Sequence, residues 1–158
     1  MDVIRLPDVA ATEALASRLA KSLPMETAGW IVLLQGDLGA GKSTLARAML
    51  REMGHDGPVP SPTYTLVEPY ELEIGNVYHI DLYRISGLVE LEHLGWHDLR
   101  DGLALVEWPE RAPELREHAD LQIALDYDGS GRAAVLQSLS DRGAAMLSGT
   151  GLGRLIRR

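Results

Sequence analysis

The chain has 158 residues, 46% of them hydrophobic, and a formal net charge of -8 at pH 7. That is enough for one compact domain with its own core and too little for two. The acidity argues against non-specific nucleic-acid binding, the lack of cysteine excludes disulfides and Cys-ligated zinc, and no apolar run reaches the ~18 residues of a membrane helix.

Taken in chain order, Val3–Leu6 reads as a short edge strand. No basic segment followed by an apolar one opens the chain, so no secretory leader is expected. A cysteine-free composition suits a reducing cytoplasm. Asp8 can cap a helix over Thr12–Leu23, where Leu15, Leu19 and Leu23 recur at helical spacing. Gly29–Gln35 is a continuous apolar run, the pattern of a parallel strand buried on both faces. A glycine loop follows, then a helix over Lys42–Met53 that Gly54 ends.

Residues 54–62 carry too many Gly and Pro for regular structure. Tyr64–Tyr70 and Val77–Leu82 read as strands of a hairpin, Leu88–Leu99 as short helical turns, and Leu103–Trp108 as another buried strand. Leu121–Tyr127 and Ala133–Leu139 flank a DGSG turn. The expected fold class is α/β: a single P-loop NTPase-like domain over 1–140, its mixed sheet carrying antiparallel hairpins and flanked by helices. In residues 141–158, Arg142, Arg154, Arg157 and Arg158 face Asp141 alone. This basic tail could touch an acidic partner or RNA, but its glycines favour a frayed, solvated end, at most partly ordered.

Gly36, Gly41, Lys42 and Ser43 satisfy G-x-x-x-x-G-K-[ST] between a buried strand and a helix. The glycines let backbone amides turn around phosphate oxygens. The helix start adds free N–H groups and a positive dipole end. Lys42 can neutralise the β/γ-phosphates, the Ser43 hydroxyl can ligate Mg²⁺, and Thr44 can bond an α-phosphate. The whole loop, with Leu38, Gly39 and Ala40, is the expected ATP-binding segment. ATP is preferred over GTP because no N-K-x-D stretch reads guanine: Asn76 is followed by Val-Tyr-His.

Such a site needs carboxylates at strand ends. Asp81 ends VYHID and Glu107 ends LALVE. Either alone could be a solvated strand end; together, one can hold metal and the other orient water. His79 lies on the face opposite Ile80, and a lone strand histidine is more often structural. Ser61, Thr63 and Thr65 sit in a proline-stiffened SPTYT stretch that can be a γ-phosphate-sensing switch or simply a turn before a strand. Trp108 is either beside the site or in the core.

GDLGAGKST, SPTYTLVEPY, VYHIDLYR, ELEHLG and LVEWPER together resemble the TsaE (YjeE) family across Leu6–Leu139. The resemblance implies a small Mg²⁺-dependent ATPase of tRNA threonylcarbamoyladenosine (t6A) formation, slow alone, acting with TsaB and TsaD and meeting tRNA only through that complex. It implies catalytic roles for Lys42, Asp81 and Glu107, metal ligation by Ser43 and Glu107, and a switch at Ser61 and Thr63. It places Val9 and Thr12 near adenine, and Trp108, Glu110 and Arg132 near the nucleotide. Ser43 departs from the family's usual Thr but keeps the hydroxyl.

Two other readings follow from the same residues. ATP could gate docking, with cleavage secondary. A small-molecule kinase would need an arginine-rich lid, and residues 85–102 hold only Arg100. Arg84 and Arg132 are the in-chain candidates for a charge-neutralising arginine.

Overall fold

The computed structural model describes residues 3–152. Seven strands form one mixed sheet: β1 (Val3–Leu6), β2 (Ile31–Gln35), β3 (Val67–Leu72), β4 (Gly75–Asp81), β5 (Leu103–Glu107), β6 (Leu121–Asp128) and β7 (Gly131–Ser138). Their spatial order is β1-β7-β6-β2-β5-β4-β3. The central strands β6, β2, β5 and β4 run parallel, and antiparallel pairs close both edges.

The burial pattern explains the central strand. Val32 and Leu34 enter one core with α1 (Val9–Lys21) and α2 (Lys42–Glu52), while Ile31 and Leu33 enter a second core on the other face. A strand lined on both faces has no polar alternation to show, which is why Gly29–Gln35 reads as a continuous apolar run. The second core packs beneath α3 (Leu88–His93) and a 3₁₀ turn at Trp96–Asp101.

Helix α1 starts three residues earlier than its apolar periodicity indicates. The Asp8 carboxylate accepts from Ala11 N–H at 2.8 Å and so sets Val9 as the first helical residue. Val9 itself is 61% exposed and carries no periodic signal. Strand β3 begins later than expected. Residues 62–65 form a turn closed by Leu66 N–H on the Pro62 carbonyl at 2.8 Å, and Leu66 is left-handed at φ 69°. Tyr64 is therefore 80% exposed and outside the ladder. Pro69 is tolerated because β3 is an edge strand.

The basic end is ordered over its first part. Residues Asp141–Gly149 form α4, capped by Ser140, whose hydroxyl accepts from Gly143 N–H. Buried Asp120 anchors this cap. It accepts from Ser140 Oγ at 2.7 Å, from Arg142 Nε at 2.7 Å and Nη2 at 3.0 Å, and from Ile31 N–H at 3.1 Å. Arg154, Arg157 and Arg158 lie outside the described residues. Among the described residues, no helix is long and apolar enough to cross a membrane.

Candidate nucleotide site

Because β2, β4 and β5 are parallel, their carboxyl ends reach one edge of the sheet. That topology brings together the loop after β2, Asp81 at the end of β4 and Glu107 at the end of β5. Asp81 and Glu107 are direct register partners. The cleft above them measures about 290 Å³.

The loop is built for close backbone approach. Gly39 and Gly41 are left-handed at φ 80° and 107°. No side chain caps α2, so its first amides point toward the cleft unpaired by protein side chains. Two residues of the β6–β7 hairpin hold the loop from outside: Tyr127 OH donates to Leu38 O at 2.6 Å, and Arg132 donates to Gly39 O through Nη2 at 3.0 Å and Nε at 3.3 Å. The Arg132 guanidinium also stacks over the Tyr127 ring, 4.4 Å from its centroid.

Lys42 donates to the carbonyls of Gly36 and Asp37 and lies 4.1 Å above the Trp108 ring centroid. Burial pushes its ammonium pKa down, while Glu107, Glu110, Asp81 and Asp37 oppose the shift. Trp108 is left-handed at φ 57°, and this turns the chain sharply after Glu107 and lays the indole beside Lys42.

Ser43 Oγ donates to Glu107, 3.1 and 3.2 Å from its two carboxylate oxygens. His79 Nε2 meets the same carboxylate at 2.5 Å, with both side chains buried. Asp81 accepts from Tyr83 N–H at 2.8 Å and from the Thr63 hydroxyl at 3.4 Å, and Ser61 Oγ is 2.7 Å from Thr63 Oγ1. Burial lifts the Asp81 carboxyl pKa above its ordinary value. The Tyr83 N–H works against that rise, Glu107 adds to it, and His79 and Thr63 oppose it. Ser43, Asp81 and Glu107 supply the hard oxygen donors a Mg²⁺ site uses; such ions keep waters and take the rest from phosphate. Among the described residues, no group of three or more His, Cys, Asp or Glu is placed to hold a metal ion.

Of the residues that the sequence points to, Leu38, Gly39, Gly41, Lys42, Ser43, Thr44, Thr63, Asp81, Glu107 and Trp108 line this cleft. Ala40 is fully buried behind the loop. Ser61 touches the site only through Thr63. Val9 lies in a separate α1–α2 groove that it shares with Thr44, and Thr12 is buried in α1. Glu110 sits in a 3₁₀ turn and lines a different depression, with Gln35, Gly36 and Asp37. Arg132 reaches the loop's carbonyl side rather than the cleft lining. Tyr83 lies within VYHIDLYR but is not among the site residues expected from it; it lines the cleft, and its ring lies 5.0 Å from that of Trp108. The signal that could have found it is its place two residues after Asp81.

A glycine loop between a buried parallel strand and a helix, facing two strand-end acids, defines a P-loop NTPase-like α/β protein. The family model described as "Threonylcarbamoyl adenosine biosynthesis protein TsaE" matches residues 6–134. The chain belongs to the TsaE family. It is 42% identical over 120 residues to the tRNA threonylcarbamoyladenosine biosynthesis protein TsaE of Haemophilus influenzae, covering 75% of this chain and 76% of that one. It is 45% identical over 116 residues to the TsaE of Synechocystis sp., covering 70% and 71%. The solved structure "Crystal structure of Bacillus subtilus YdiB" has the same fold, with a TM-score of 0.76 over 96% of this chain and 95% of that one, at 23% identity.

Proposed function

We propose that the protein is a Mg²⁺-dependent cytoplasmic ATPase that supports a TsaB–TsaD complex in forming t6A at position 37 of ANN-decoding tRNAs. The observation that carries this reading is the convergence of Lys42, Ser43, Asp81 and Glu107 on one cleft, in a chain of the TsaE family. In this reading the loop amides and Lys42 bind the phosphates, Ser43 and Glu107 hold the cation, and Asp81 orients the attacking water. The bound cation supplies charge neutralisation on the phosphoryl oxygens. Arg132 is engaged with Gly39 O and stiffens the loop, so partner contact is the proposed source of further rate.

The test is reconstitution of tRNA modification with TsaB and TsaD, with wild-type protein or K42A. Multiple-turnover t6A formation is expected to need the wild type and fail with K42A. Formation that proceeds equally well without this protein overturns the assignment.

One contact favours a second reading. The Thr63 hydroxyl joins the 61–65 segment to Asp81, so the state of the site can be passed to an exposed loop. ATP binding would then gate partner docking, with cleavage secondary. Sustained t6A turnover with a non-hydrolysable ATP analogue would support the gate over the hydrolytic cycle.

A further inference from the structure

We infer that His79 is a positioning residue: its Nε2–H fixes the Glu107 carboxylate toward Ser43, and thereby sets how tightly the site holds a divalent cation. The inference rests on the nucleotide-site reading above and deepens it.

Strand geometry makes the contact possible. Val77, His79 and Asp81 alternate onto one face of β4, and Glu107 ends β5 directly beside Asp81. His79 is thus one pleat behind the acid pair, 1% exposed, and reaches diagonally to Glu107 Oε2. Its other ring nitrogen, Nδ1, is buried with no hydrogen-bond partner. A hydrogen on Nδ1 would be buried without an acceptor, whereas a hydrogen on Nε2 meets a carboxylate oxygen. The surroundings therefore select the Nε2–H tautomer.

The Glu107 carboxylate is itself buried and has two side-chain donors, Ser43 Oγ and His79 Nε2. Ser43 belongs to the helix that contacts phosphate, so its geometry follows the ligand. His79 belongs to the sheet, and its hold on Glu107 is independent of the ligand. Without it, a buried carboxylate with one donor is free to rotate about its last torsion. Outer-shell partners of this kind typically alter metal affinity about 10–100-fold.

The experiment compares wild type, H79L and H79Q. Glutamine carries an N–H at roughly the reach of Nε2, and leucine carries none. Binding of a fluorescent ATP analogue is measured in EDTA and across a Mn²⁺ titration, with free Mn²⁺ followed by EPR. For H79L the expected result is EDTA affinity within about 2-fold of wild type and Mn²⁺ affinity about 10–100-fold weaker. H79Q should recover most of the loss. Unchanged Mn²⁺ affinity in H79L, or an equal loss with and without metal, overturns the inference. The ¹⁵N ring spectrum of the nucleotide-free protein is an independent test: Nε2–H is expected for His79, and an Nδ1–H tautomer overturns the inference. Failure of the wild type to bind nucleotide at all would sink the ATPase reading, and the ring spectrum would still decide whether His79 holds Glu107.

Discussion

Asp81 and Glu107 are register partners on adjacent parallel strands, yet they are held by different parts of the chain. Glu107 is tied to the phosphate-loop helix through Ser43 and to the sheet through His79, whereas Asp81 is tied to Tyr83 and to the 61–65 segment through Thr63. The two acids are neighbours in space with separate mechanical connections.

Substituting Asp81 separates stability from turnover. Its folded pKa is raised, so its contribution to stability is full below the unfolded carboxylate value of about 3.9 and is lost as pH rises through the folded value. Above the folded value the native state carries the cost of a buried charge beside Glu107. D81N keeps an acceptor for Tyr83 N–H and is expected to raise stability at pH 7 by about 1 kcal/mol. The gain should vanish near pH 4 in urea unfolding. Phosphate release should fall about 100-fold or more.

Lys42 and Trp108 form a reporter pair. The ammonium 4.1 Å over the indole is expected to leave when phosphate binds, so ATP should change the Trp108 fluorescence. Trp30 and Trp96 are buried away from the cleft and should contribute a constant background. W108F is expected to abolish the change. K42A should weaken ATP binding by about 100-fold, or ~2–3 kcal/mol, measured by calorimetry.

Arg132 and Tyr127 should govern loop stiffness. In R132A the carbonyl of Gly39 loses two donors, and the amides of residues 37–41 should exchange faster with deuterium. The contact is exposed, so the expected loss of nucleotide affinity is modest, about 5-fold or ~1 kcal/mol. Unaltered exchange in those amides would show that the loop holds its shape unaided.

The anchor of α4 offers a variant outside the site. A Cβ at Gly143 would lie 1.9 Å from the Asp120 carbonyl oxygen, a backbone atom that cannot easily move. G143A should lower unfolding free energy by about 1–3 kcal/mol while ATP affinity stays at the wild-type value. Thermal unfolding and calorimetry on the same sample check both halves.

What could be read in advance follows the range of the interactions. The loop, its flanking strand and helix, and the acids ending β4 and β5 are written in short local patterns, so their convergence follows once the strands are parallel. Leu66 is opaque in the sequence because a left-handed leucine has no Gly or Asn to announce it, and T-Y-T-L-V imitates a strand. Helix α4 is hidden because its anchor, Asp120, lies 20 residues before Ser140. The Arg132 contact spans 93 residues, and only the fold joins its ends. The resemblance places Arg132 near the nucleotide; in the fold its guanidinium grips the Gly39 carbonyl, outside the cleft lining.

The left-handed turn at Leu66 has a consequence for distance. Its N–H is bonded to Pro62 O, and its carbonyl accepts from Asp81 N–H at 2.9 Å, so Leu66 is pinned to the end of β4. Thr63 stands three residues before that pin, and three extended residues span about 10–11 Å. However the segment moves while the pin holds, the Thr63 Cα stays inside a sphere of that radius around Leu66. Any molecule that senses the cleft through this hydroxyl must therefore approach the rim of the nucleotide site itself, which limits the place of contact before a partner has been seen.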